Sequence, residues 1–115
     1  MFALDTYKMD AYITGVDHWL IEANYDDRIL KANVEDGKID RAQANRLMLS
    51  HMSIENTIRY LCECEAQKSR TIVLCHLSER NSDPLSFRAR VTGEFGVPVY
   101  VASKGKVIGI TKEVI

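Results

Sequence analysis

The sequence contains only two prolines and one tryptophan, and no apolar run approaches the roughly 20 residues that a membrane-spanning helix needs. A membrane span is therefore not expected. Fifteen basic side chains face sixteen acidic ones and are scattered along the chain, so the electrostatic footprint of a protein that lives on nucleic-acid phosphates is missing. Charge alone nominates no partner. The three cysteines are an odd number, and Cys62 and Cys64 are one residue apart, which is neither a disulfide framework nor the two-to-four-residue spacing of structural zinc. A reducing, cytoplasmic setting is the expectation. The opening Met-Phe-Ala-Leu-Asp-Thr-Tyr-Lys puts an Asp and a Lys where a secretory signal would need continuous apolar residues.

What is present is enough for one modest core. A chain of 115 residues with 46% apolar positions reads as a single domain over residues 1–115, burying roughly two-thirds of its unfolded surface without disulfides. Residues 11–23 are aromatic and β-branched without a helical period, which predicts strand interrupted near Gly15 and ended by Asn24-Tyr-Asp-Asp. A short helix begins over 28–32 and is closed by Glu35-Asp36-Gly37, and Asp40 caps a helix over 41–49. Ser53 caps a third helix over 54–65, where Ile54, Ile58, Leu61 and Cys62 form one stripe. Thr71-Ile-Val-Leu-Cys75 is an unbroken apolar strand, consistent with cover on both faces. Asp83-Pro84 is the sharpest local signal, a cap followed by proline at the first helical position, with the helix closed by Gly93 or Gly96. Strands over 97–102 and 106–110 form a hairpin. The alternation of strand and helix predicts an α/β layer.

Strand ends are where such layers place ligands, because side chains there project from a rigid sheet into the adjacent crevice. Three segments qualify: Leu4-Asp5-Thr6, Leu49-Ser50-His51-Met52-Ser53, and Leu74-Cys75-His76-Leu77-Ser78 with Asn81 downstream. An imidazole at the end of a buried strand can ligate a metal or shuttle a proton, and it serves equally well as a hydrogen-bonded structural residue. His51 stands just before a helix cap and could be a loop residue. His18 reads as a partly buried strand side chain, and Glu22, Asp26 and Asp27 as a solvated acidic turn.

Taken in order, Leu4-Asp5-Thr6, Leu20-Ile-Glu22-Ala-Asn24-Tyr25, His51-Met-Ser53 before a helix, and His76-Leu-Ser78-x-x-Asn81 after a strand resemble the metallo-β-lactamase-fold hydrolases. The branch they are most similar to is that of ribonuclease Z and the bacterial and phage hydrolases near it. The resemblance implies an α/β fold that is half of the family's αββα sandwich, one mixed β-sheet flanked by helices and completed by oligomerisation. It implies Asp5 and His76 as metal ligands, His51 as the catalytic or substrate-contacting imidazole with Glu22 orienting it, and Ser78 and Asn81 on the phosphate side. Zinc or manganese is the implied metal, and a nucleic acid or cyclic nucleotide the implied substrate.

The family binds most of its metal through a His-x-His-x-Asp-His segment and a further His, all preceding the bridging Asp, and these are lacking here. Ser50 also stands where the family has Gly, and Tyr7 where Gly often follows Asp-Thr. Three functional classes are thus in play. The chain is a truncated or split hydrolase, inactive alone, whose missing ligands come from another polypeptide; or a small interaction protein, such as a phage inhibitor or regulator; or a homodimer with a composite metal site. A missing half would uncover several hundred Å² of apolar surface, about 10 kcal/mol at roughly 25 cal/mol per Å². A homo-oligomer or a protein partner is expected to cover it, with residues 11–13, Val16 to Ile21 and the C-terminal hairpin at the interface.

Overall fold

A computed structural model describes residues 14–103 and 106–108. Strand β1 (His18–Glu22) leads into three helices, α1 (Asp27–Glu35), α2 (Arg41–Ser50) and α3 (Ile54–Glu63), then a 3-10 turn at Ala66–Lys68. Strand β2 (Thr71–Cys75), helix α4 (Pro84–Phe95), β3 (Val99–Ser103) and β4 (Lys106–Ile108) follow. The protein is α/β. Its sheet has the order β1-β2-β3-β4, with β1, β2 and β3 parallel and β4 antiparallel to β3.

Each helix start follows from a short polar side chain taking up an orphan amide. Asp26 accepts from Arg28 N–H, Asp40 from Gln43 N–H, Ser53 from Asn56 N–H and Asp83 from Ser86 N–H. Helix α4 runs through Gly93 and stops at Gly96, whose φ of 68° is the left-handed conformation that ends helices cheaply. Helix α3 stops at Glu63, two residues short of the sequence expectation, because Glu65 itself turns left-handed at φ 55°. Helix α1 closes at the Glu35-Asp36-Gly37 turn, as the sequence predicts. Its Leu30 and Asn33 are both buried, so tertiary packing supports it through Glu35.

The main core lies on one face of the sheet. Trp19, Ile21, Ile72, Leu74, Val99 and Val101 alternate along the three parallel strands and are buried against Ile54, Leu61, Phe87 and Val91. The Trp19 indole donates to Ser69 Oγ at 2.9 Å and stands edge-on to Tyr60, ring centres 6.1 Å apart. The opposite face is less covered. In β2 burial alternates, Ile72 and Leu74 fully enclosed and Thr71, Val73 and Cys75 half-buried, so the unbroken apolar run does not mean equal cover on both sides.

Two further expectations change. The segment over 14–17 is not strand, which begins only at His18, and residues 11–13 lie outside those described. Val16, Trp19 and Ile21 are buried in the chain's own core and so cannot contribute to an interface between chains; Leu20 alone of that apolar group stays half-buried.

Candidate functional site

The register Glu22↔Cys75 sets the end of β1 beside the end of β2, so Glu22 and His76 become neighbours across 54 residues of sequence. A second segment is strapped to the same place. Asn24 N–H donates to Met52 O at 2.8 Å, Ile54 N–H to Tyr25 O at 2.7 Å, and Thr57 Oγ1 to Glu22 O at 2.6 Å. His51, the residue that closes α2, is thereby held over the strand end.

The result is a buried carboxylate between two imidazoles. Glu22 is 2% exposed, and its Oε1 lies 3.1 Å from Nδ1 of His51 and 3.2 Å from Nδ1 of His76. Its other oxygen accepts the Met52 amide at 2.7 Å, so the carboxylate acts as an acceptor on both sides. Each Nδ1 then donates, and in a neutral ring Nε2 carries the lone pair. The side chains of His51 and His76 are 40% and 58% exposed, so the two rings lie at the solvent-facing edge of the site. A base or ligand oriented through its other nitrogen is a recurring device for fixing tautomer and direction.

Asn24 supports the site in a way the sequence did not signal. Its Nδ2 donates to His76 O at 2.6 Å and its carbonyl accepts Ser78 N–H at 2.8 Å. His76 has φ 56°, a left-handed conformation unfavourable for a side chain of its size, and Asn24 is its brace. Asn24 Oδ1 is buried without a hydrogen-bond partner.

Ser78 and Asn81 form the next layer. Ser78 Oγ accepts from both Asn81 N and Asn81 Nδ2 at 3.2 Å, and Asn81 Oδ1 accepts from Asn33 Nδ2 at 2.8 Å. With 4% exposure, Asn81 is turned inward and braces the loop. Asp5 lies outside the described residues. His18 is half-buried beside Thr71, with Nδ1 2.7 Å from Thr71 Oγ1, far along β1 from Glu22.

The acidic turn is not simply solvated. Asp26 is buried and pairs with Arg90 at 3.2 Å, while Arg90 reaches Glu55 at 3.3 Å; only Asp27 is exposed. Beside them, burial, reinforced by the charges of Asp27 and Glu55, pushes the Tyr25 phenol up to about 12. Because the native pKa is raised, the stability carried by the neutral phenol is complete below pH 10 and lost as pH climbs toward about 12. In an ultraviolet phenolate titration, Tyr25→Phe should remove a step about two pH units later than that of an ordinary phenol.

Among the described residues, no group of three or more His, Cys, Asp or Glu side chains could hold a metal ion. Both Nδ1 atoms and both Glu22 oxygens are already engaged, so these residues do not form a metal centre by themselves. No protein-family model, curated protein or solved structure matches the chain.

Proposed function

We propose that this chain carries the C-terminal part of a phosphodiester-hydrolase site, built on half of a metallo-β-lactamase αββα fold. The observation that supports it best is the Glu22 carboxylate shared by His51 and His76, whose side chains are partly exposed. Three of the four ordered motifs that suggest the family meet at this point: Glu22-Ala-Asn24, His51-Met-Ser53 and His76-Leu-Ser78. In this role Glu22 is a positioning residue. His51 gives or takes a proton at a phosphoester oxygen or the attacking water, a contribution worth about 10²–10⁴ in rate. Zinc or manganese would need donors beyond the described residues, with His76 and Asp5 as this chain's share. A second copy or another polypeptide supplying such donors completes the site.

A second function, as a non-catalytic interaction protein, is favoured by one observation: both Glu22 oxygens are taken up by His51, His76 and the Met52 amide, as in a structural brace. Turnover and metal binding together separate the two. With zinc or manganese and a chromogenic phosphodiester, hydrolysis should fall about a hundredfold or more in His51→Ala and in His76→Ala. Unchanged turnover in both variants would overturn the site. No turnover by the wild type with either metal, together with no change in the His51 and His76 imidazole shifts when the metal is added, would leave the interaction protein standing.

A further inference from the structure

A cavity of about 470 Å³ lies beyond the Ser78–Asn81 loop, lined among the described residues by Asn33, Lys38 and Arg80. Its chemistry differs from that of the histidine site. Both charged lining residues are cations, both are exposed, and neither takes part in an ion pair among the described residues. Most exposed cations sit beside a carboxylate or point separately into water; here two that are 42 residues apart border one hollow.

A single buried residue sets that geometry. Asn33, 8% exposed, accepts Lys38 N–H on its backbone carbonyl at 2.9 Å. Its side-chain amide donates to Arg80 O at 2.9 Å and to Asn81 Oδ1 at 2.8 Å. Gly37, at φ 74°, makes the turn that brings Lys38 back over the end of α1. The backbones carrying both cations are thus tied to one asparagine, and the arrangement is present before any ligand arrives.

We infer that Lys38 and Arg80, held in place by Asn33, form a phosphate-binding subsite. An ammonium serves as a point charge, and a guanidinium offers a planar fork of donors that matches phosphate oxygens. The phosphate has two sources, a neighbouring phosphodiester of a nucleic-acid strand or a free phosphate. The link to hydrolysis rests on the function proposed above, since Arg80 lies four residues beyond His76 on the same loop. With a net charge of -1, the protein has no general attraction for polyanions to obscure a local site.

Binding is measured without added metal, so that it is independent of turnover. Fluorescence anisotropy of a labelled single-stranded oligonucleotide, at several salt concentrations, is compared with competition by inorganic phosphate. The double variant Lys38→Gln/Arg80→Gln should bind about tenfold or more weakly, with a salt slope reduced by about one for each lost phosphate contact. Arg70→Gln, an exposed cation at the far end of β2, should bind as the wild type does. An oligonucleotide that binds more tightly than phosphate assigns the pocket to a strand, and equal affinity assigns it to free phosphate. Equal affinity and salt slope in the wild type and double variant would overturn the subsite, as would an equal loss in Arg70→Gln. His76→Ala, which disables the proposed chemistry, should retain the binding, so failure of the hydrolase proposal and failure of the subsite give different results.

Discussion

Trp19→Ala should cost about 3–5 kcal/mol, the usual range for truncating a fully buried aromatic, and leave the protein near the edge of stability. Most of this is the lost core volume where β1 meets α3. Part is polar. Ser69 Oγ donates to the Val16 carbonyl and accepts from the indole, and together they fasten the entry of β1 to the entry of β2. Trp19→Phe keeps much of the volume but removes the indole donor, so it should lose about 1–3 kcal/mol. Urea unfolding followed by far-ultraviolet circular dichroism checks the order: wild type, then Trp19→Phe, then Trp19→Ala. Equal midpoints for the two variants would show that the hydrogen bond, not the volume, carries the effect.

Glu22→Gln should lose about 1–3 kcal/mol and uncouple the two imidazoles. The carboxylate offers acceptors to three donors: the Met52 amide, His51 Nδ1 and His76 Nδ1. A glutamine keeps one acceptor and introduces two donors, so at least one buried contact becomes donor against donor. Nitrogen chemical shifts of the imidazole rings are the direct readout. In the wild type both neutral rings should be protonated at Nδ1; in Glu22→Gln at least one should shift toward the Nε2-protonated tautomer. A mere loss of packing would lower the unfolding midpoint without changing that tautomer balance. Wild-type tautomers in Glu22→Gln would show that Glu22 does not orient the rings.

The starts of α2, α3 and α4 were legible because each is a local event. Asp40, Ser53 and Asp83-Pro84 lie within three residues of the amides they serve, and a one-dimensional string contains that relation completely. The start of β1 was not legible, because aromatic and β-branched content gives a preference for strand without a boundary. The end of α3 was hidden for a different reason. Glutamate rarely signals a left-handed turn, yet Glu65 makes one. At the site, the histidines stood out by residue type, whereas Glu22 and Asp26 looked like members of a solvated acidic turn. Their burial depends on partners 29 to 64 residues away, His51, His76 and Arg90. Asn24 was legible only as a strand end and as part of a motif; its bracing of His76 was not, since that links segments that only the folded chain brings together.

The parallel pairing of β1 with β2 also has a kinetic meaning. The strand–helix–strand unit over 71–103 closes over short stretches of chain, but His18 meets Thr71 across 53 residues, and the entropy of closing that loop precedes any reward from contact. Glu22 reaches His76 only through that same closure. The local unit is therefore expected to assemble early and to present a strand edge before its neighbour arrives, while the carboxylate docks late. Hydrogen-exchange labelling during refolding would see protection at Ile72 and Val99 before protection at Trp19 and Ile21, making the histidine pair one of the last features of the protein to exist.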